Sequence, residues 1–80
     1  MEFLRPKDIM KKMKISRTLL YSYIKKGIFP KPIKMGATIS VWLNTEIESI
    51  MIAMYKQENE DNLRKLVKEI ELSRKETLNN

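Results

Sequence analysis

Apolar residues recur at helical spacing in two short segments near the start of the chain. Pro6 suits a first helical turn, because its missing N–H leaves no hydrogen bond unmade there, and the pattern predicts a first helix over about 6–13. Its buried stripe is expected to comprise Leu4, Ile9, Met10 and Met13. Ser16 is a favourable N-cap and Gly27 a favourable C-terminal residue, which predicts a second helix over 17–26. Two short helices joined by a tight turn are typical of a helix-turn-helix.

The periodicity changes after the second helix. Pro30 and Pro32 exclude a helix and favour an extended segment. Apolar residues then alternate around Gly36, which predicts a β-hairpin between about residues 33 and 41. Because two strands alone are only marginally stable, we expect the hairpin to pack against the helices. We expect Trp42 to lie buried beneath it, with the indole N–H bonded to a backbone carbonyl.

A third helix and a final helical pattern follow. Thr45 and Glu48 fit a capping box at the start of the third helix. Its inward stripe is predicted to be Ile47, Ile50, Met51 and Met54. The polar segment 57–62 separates this helix from the last amphipathic pattern. The chain is therefore predicted to be mostly α with a small β-hairpin, with a helix-turn-helix domain over 1–56 and a C-terminal amphipathic helical extension over 57–80.

The last two helical patterns carry more apolar surface than one small core needs. The C-terminal helix either folds back onto the domain or forms a surface for a second copy or a larger protein. We favour association, because small modules of this kind rarely hold a binding site alone and a dimer gains affinity through effective concentration. The candidate interface residues are Ile52, Tyr55, Leu63, Leu66, Val67 and Ile70.

Charge is distributed unevenly between the two halves of the chain. Residues 1–40 contain ten Lys or Arg against two acids, which gives +8, and residues 41–80 contain six against eight, which gives −2; the whole chain carries +6. A basic bias confined to one half indicates a positive face directed at an anionic partner. Nucleic acid is the usual candidate, and the charge argues against a pure protein–protein adaptor.

Composition also excludes several classes of function. The 80 residues include no Cys and no His, which excludes disulfides, thiolate zinc sites and a histidine general base. Four acids, Glu46, Glu48, Glu58 and Glu60, lie at a helix cap or in the polar segment and are interpreted as solvated. We therefore expect no enzyme activity, no cofactor, no metal and no small-molecule substrate. No stretch approaches the about 20 apolar residues that span a bilayer and nothing resembles a signal peptide, so we expect a cytoplasmic location and no membrane partner.

Several segments together resemble a known family. They are Leu4-Arg5-Pro6-Lys7-Asp8-Ile9, Ile15-Ser16-Arg17-Thr18-Leu19-Leu20-Tyr21, Gly27-Ile28-Phe29-Pro30-Lys31-Pro32-Ile33-Lys34-Met35-Gly36, Trp42 and Glu46-Ile47. Over about residues 3–55 the sequence is similar to the AlpA family of phage regulators, within the MerR-like and excisionase-like group. The resemblance implies a winged helix-turn-helix whose second helix enters the major groove while the hairpin, or wing, contacts the DNA backbone or the minor groove.

The resemblance, with the clustering of lysines beside the second helix, identifies candidate nucleic-acid-binding residues. They are Ser16, Arg17, Thr18, Tyr21, Ser22, Lys25, Lys26, Lys31, Lys34 and Thr38, with Gly36 and Ala37 also in the wing. Many relatives carry an arginine at the position of Thr38, whereas here the tip of the wing is neutral. The missing positive charge weakens the expectation of ordinary duplex docking.

Two functions agree with these features. The first is a DNA-binding transcriptional regulator or an excisionase-like recombination directionality factor of a mobile genetic element, with duplex DNA as the favoured partner. The alternative is an accessory subunit of an element-encoded replication enzyme, which would dock its partner through the C-terminal helix. It would bind single-stranded DNA by stacking bases on Tyr21, Tyr23 or Phe29.

Overall fold

The structure is a computed structural model that describes residues 2–78, and the side chains of residues 2–75. The elements follow the order β1 (Phe3–Leu4), α1 (Pro6–Met13), α2 (Arg17–Lys26), β2 (Ile33–Lys34), β3 (Ser40–Leu43), α3 (Asn44–Tyr55) and α4 (Glu60–Leu78). The protein is mostly helical with a small antiparallel sheet, which confirms the predicted fold class of a winged helix-turn-helix with a C-terminal helix.

The first two helices form where local signals predict them. The Ser16 Oγ accepts a hydrogen bond from the Leu19 backbone N–H at 3.1 Å, so one of the unpaired donors at the start of α2 is satisfied. Gly27 ends α2 with φ of +80°, a left-handed conformation that costs glycine little. Ile9 of α1 and Leu20 of α2 are fully buried, so the two helices meet through the apolar positions that the pattern predicted.

The sheet contains one strand more than the predicted hairpin. Its order is β1-β3-β2, with Leu4 opposite Trp42 and Ile33 opposite Val41. Strand β1 was not predicted, because two residues are too few to show an alternating pattern. Trp42 is fully buried and its Nε1–H donates to the Pro30 carbonyl at 2.8 Å, which confirms the prediction made for this residue.

The start of α3 differs from the prediction. The helix begins at Asn44, two residues earlier than the predicted cap implies, and Leu43 occupies the N-cap position. The Glu46 Oε1 accepts the Leu43 N–H at 3.2 Å, so Glu46 and not Glu48 reaches back to the cap. The prediction of a capping box built on Thr45 and Glu48 was therefore wrong. So was the interpretation of Glu46 as solvated, since only 7% of this residue is exposed.

Helix α4 packs against α3 and completes the core. Leu63, Val67 and Ile70 are 5–8% exposed, and Leu66 is half-buried against the same core cluster. The prediction that these four residues form a partner surface is corrected, because the chain uses their apolar surface within its own fold. The division at residue 56 stays a prediction; it falls in the turn between α3 and α4, and both sides contribute to one core.

Candidate nucleic-acid interface

The outward face of α2 is open to solvent. Residues three or four apart share a helical face, which groups Arg17, Tyr21 and Lys25 along one row and Thr18 and Ser22 along the next. All of these are exposed except Ser22, which is half-buried. Leu20 of the same helix is fully buried. The helix thus presents the predicted residues to solvent while its apolar face anchors it.

The first turn of α2 faces the wing across an open cleft of about 440 Å³. The lining combines the first turn of α1, the start of α2 and the second half of the wing. It consists of Arg5, Pro6, Lys7, Asp8, Arg17, Tyr21, Thr38, Ile39 and Ser40. The structure therefore brings together three of the predicted binding residues, Arg17, Tyr21 and Thr38, although 17 residues separate Tyr21 from Thr38 along the sequence.

Two contacts order the polar groups around this cleft. The guanidinium carbon of Arg17 lies 6.0 Å from the centroid of the Tyr21 ring, at the limit of cation–π contact. The Lys34 Nζ donates to the Ser40 Oγ at 2.9 Å across the two strands of the wing. Tyr21 and Ser40 both line the cleft, so these contacts hold the side chains of Arg17 and Lys34 next to residues of the cleft.

The other seven predicted residues lie outside the cleft lining, and two of them, Lys26 and Lys31, contact α4. The Lys26 carbonyl at the end of α2 accepts a hydrogen bond from the Arg64 Nε at 3.0 Å. The Lys31 backbone N–H donates to the Glu71 Oε2 at 3.0 Å. Both contacts are to α4, so the backbones of these residues lie beside the C-terminal helix while their side chains are exposed.

Sequence reasoning assigned no binding role to two cations that line the cleft, Arg5 and Lys7. Their positions on either side of Pro6, at the start of a helix, were visible in the sequence. What the sequence did not show is the antiparallel pairing of β1 with β3, which places the first turn of α1 beside the start of β3 in the wing.

The aromatic side chains proposed for base stacking are mostly engaged in the core. Phe29 is 1% exposed and meets Trp42 edge to face, with ring centroids 6.1 Å apart. Tyr23 is partly buried against the core cluster, which leaves Tyr21, 40% exposed, as the accessible ring among the three. Because Phe29 is not accessible to a nucleobase, its predicted stacking role is wrong.

The two remaining candidate partner residues are on the surface of α3. Ile52 is 55% exposed and Tyr55 is 88% exposed. Ile52 lines a shallow cleft of about 250 Å³ with Lys56, Glu58 and the half-buried Leu66. Apolar side chains with this exposure are available for contact with another molecule.

The described residues contain no cluster of three or more carboxylate, Cys or His side chains that could hold a metal ion. Within residues 2–78, each helix is too short or too polar to cross a bilayer.

Comparison with known proteins identifies relatives of the wing and helices α1–α3. The family described as prophage CP4-57 regulatory protein (AlpA) matches residues 2–52. An uncharacterized protein of Enterobacteria phage P4, ORF88, is 35% identical to this chain over 49 residues. That match covers 61% of this chain and 56% of the phage protein, so the chain spans little more than half the length of that relative. No solved structure matches this chain significantly.

Proposed function

This chain belongs to the AlpA family of phage regulators, and from that premise we propose that it is a DNA-binding transcriptional regulator of a mobile genetic element. The observation that carries the proposal is the exposed, basic face of α2 beside the cleft at the wing. A helix capped at both ends and anchored by Leu20 can enter a major groove without rearrangement.

In this binding mode the first turn of α2 reads base edges. Arg17 and Thr18 occupy that turn, where recognition helices contact bases. Arginine is suited to bidentate contact with guanine, and threonine to a hydrogen bond or to contact with the thymine methyl group. Lys25 lies two turns further along the same face and contributes a phosphate contact. The proposal assigns sequence preference to the first turn and sequence-independent affinity to the second half of α2.

The wing contributes to binding through one residue of strand β2 and one residue of the turn between β2 and β3. Lys34 is exposed on β2, and Thr38 offers a hydroxyl at the cleft. Ser16 caps α2 through its Oγ, so its expected contribution is the orientation of the helix rather than a strong direct contact. Lys26 and Lys31, beside α4, would contact phosphates only at the margin of the same duplex.

A recombination directionality factor would bind DNA through the same interface, and its binding would promote excision of the mobile element. The accessory-subunit alternative with single-stranded DNA receives less support, because Phe29 is buried and Tyr23 packs against the core. Fluorescence anisotropy with duplex and single-stranded oligonucleotides of the same sequence separates the two. We expect tighter binding to the duplex, and a preference for the single strand would contradict the proposed function.

Substitution of the α2 face tests the docking mode. A preferred duplex is first selected from a random library, and its affinity is then measured for Arg17→Ala and Lys25→Ala. Loss of a bidentate base contact costs about 1–3 kcal/mol, so Arg17→Ala should weaken binding roughly 5- to 150-fold and relax sequence preference. Lys25→Ala should weaken binding to all sequences alike. Lys65→Ala, an exposed residue of α4, removes the same charge elsewhere and serves as the control.

If both α2 variants bind like the native chain, docking through α2 is excluded. A loss as large for Lys65→Ala would show that net charge, and not the face of α2, determines affinity.

We also propose that a second copy of the chain covers the exposed surface around Ile52 and Tyr55. An isologous interface must be complementary to itself. The cleft beside Ile52 carries both Lys56 and Glu58, so each charge of one copy can face the opposite charge of the other. A dimer would place two copies of α2 on one duplex and raise the apparent affinity through effective concentration.

A further inference from the structure

We propose that the cleft between α1, α2 and the wing binds one backbone phosphate of the DNA duplex, with Arg5 and Lys7 supplying positive charge that the wing tip lacks. This inference rests on the proposed function, since the ligand is the same duplex that receives α2. It assigns a binding role to the first turn of α1, for which the sequence predicted the start of a helix and no contact with DNA.

The charges of the cleft favour an anion. Arg5, Lys7 and Arg17 line it together with one acid, Asp8. The Asp8 Oδ2 accepts the Arg5 backbone N–H at 2.8 Å, so this carboxylate is already engaged at the start of α1. In the part of the chain whose side chains are described, none of the three ion pairs involves Arg5, Lys7 or Arg17. Three cations without an acidic partner therefore surround one open cleft.

The neutral groups of the cleft suit a phosphate as well. Tyr21, Thr38 and Ser40 are among its lining residues, and each carries a hydroxyl that can donate a hydrogen bond to a phosphate oxygen. With about 440 Å³ the cleft has room for more than an isolated water, whose share of liquid volume is about 30 Å³. Cations and hydroxyls come from three separate elements, so an anion in the cleft would be held from several directions.

The position of the cleft indicates a phosphodiester rather than a free ion. Arg17 and Tyr21 belong both to the cleft lining and to the exposed face of α2. A duplex that receives α2 in its groove must pass its backbone along an edge of that helix, and the cleft lies along one such edge. The first turn of α1 then provides the contact that a basic wing tip would otherwise make.

The salt dependence of binding measures this contact directly. Each phosphate contact contributes about 0.9 to the slope of log affinity against log salt concentration. Removal of the whole contact in the double variant Arg5→Gln/Lys7→Ala should therefore lower the slope by about 0.9, and Lys7→Ala or Arg5→Gln alone by part of that amount, measured by anisotropy on a random-sequence duplex. Equivalently, between about 50 and about 200 mM salt the affinity of the native chain should fall about 3.5-fold more than the affinity of the double variant. Base preference on a selected duplex should be unchanged.

Two controls distinguish the cleft from general charge effects. Lys11→Ala removes a charge from the exposed face of the same helix but outside the cleft lining, and Lys65→Ala removes one from α4. We expect the slope of log affinity against log salt concentration to stay closer to the native value in both control variants than in Lys7→Ala. Circular dichroism establishes that each variant is folded, which is expected because these side chains are exposed.

Several results would overturn the inference. One is a native slope for both cleft variants while Arg17→Ala still weakens binding, which leaves the proposed function intact. Another is an equal loss of slope for Lys7→Ala and Lys11→Ala. A third is that the cleft variants keep the native slope while inorganic phosphate, added at constant ionic strength, displaces DNA. That result would show that the cleft binds a free anion. Failure of the native chain to bind any duplex would reject the proposed function and this inference together.

Discussion

At the scale of single residues, Glu46 shows how a charge is stabilised inside this fold. Its Oε1 accepts hydrogen bonds from the Leu43 N–H at 3.2 Å and the Arg74 Nη2 at 3.0 Å, and its Oε2 accepts one from the Arg74 Nε at 2.8 Å. A buried carboxylate is tolerated only when such partners replace its water. Glu46 thus has two structural roles, since it caps α3 and binds α4.

Removal of Arg74 is expected to destabilise the protein strongly. The Arg74→Ala variant leaves the buried carboxylate of Glu46 without its cation, and breaking a buried pair costs about 3–5 kcal/mol. With the Arg74 side chain 15% exposed, we expect a loss near the lower end of that range, measured by urea unfolding. Lys68→Ala, an exposed residue of the same helix, is the control and should change stability little.

The partner substitution makes this prediction specific to the ion pair. Replacing Glu46 and Arg74 together with Leu and Met removes both charges, so the double variant should be more stable than Arg74→Ala alone. If Arg74→Ala costs no more than Lys68→Ala, the pair contributes nothing measurable to stability.

At the scale of elements, α4 holds α2, the segment before the wing and α3 together. It contacts the end of α2 through Arg64 and Lys26, the segment before the wing through Glu71 and Lys31, and the start of α3 through Arg74 and Glu46. Its apolar face supplies three buried side chains to the core. Helix α4 lies outside the residues that match the AlpA family, yet these contacts make it part of the same folded unit.

A chain shortened to residues 1–56 is therefore expected to lose its cooperative fold. Full burial of an apolar side chain contributes about 1.5–3 kcal/mol, so the loss of Leu63, Val67 and Ile70 removes an amount comparable to the net stability of a small domain. Thermal unfolding followed by circular dichroism would show a broad, early transition. A chain ending at residue 75 keeps Arg74 and should melt like the full chain. A sharp, native-like transition for residues 1–56 would contradict this account.

The elements also show what could be predicted from the sequence. Helices α1 and α2 were predicted at their observed bounds, because Pro6, Ser16 and Gly27 act within a few residues of their own positions. The burial of Glu46 was missed because its partner Arg74 is 28 residues away, and its capping role was missed because Thr45 is a more usual N-cap residue than Leu43. Likewise, the folding back of α4 could not be separated from dimer formation, since an amphipathic stripe has the same pattern in both cases.

The candidate site was predictable to a similar extent. The outward residues of α2 followed from its helical periodicity and the resemblance to a family. Arg5 and Lys7 were missed because their position beside the wing depends on the pairing of β1 with β3, and strand β1 contains only two residues. Local order was therefore predictable, whereas contacts between distant segments required the structure.

At the scale of the whole molecule, opposite charges separate between the two halves of the fold. Ten of the 16 basic residues lie within residues 1–40, which include α1, α2 and β2, whereas eight of the ten acids lie within residues 41–80, which include α3 and α4. An asymmetric charge distribution orients a protein as it approaches a polyanion. We therefore expect α3 and α4 to face away from the DNA, where they are free to meet a second copy.

The double variant Ile52→Glu/Tyr55→Ser tests association through that side. In a two-fold dimer the new carboxylates would face an apolar patch or one another, so we expect the variant to be monomeric in sedimentation velocity at concentrations where the native chain is dimeric. Stability should change little, because both side chains are exposed. Leu72→Ser removes another exposed apolar side chain, 64% exposed on α4, and is expected to leave the dimer intact. A native chain that stays monomeric while it binds DNA would exclude this interface.

The single tryptophan gives the protein an internal optical reporter. The Trp42 indole lies between the sheet and the helices, fully buried, with its N–H on the Pro30 carbonyl and its ring against Phe29. Because an indole in apolar surroundings emits at shorter wavelength than one in water, separation of the wing from the helices would shift the emission to the red. Intrinsic fluorescence of unlabelled protein would therefore report on the contact between the wing and the helices, even where the helices themselves persist.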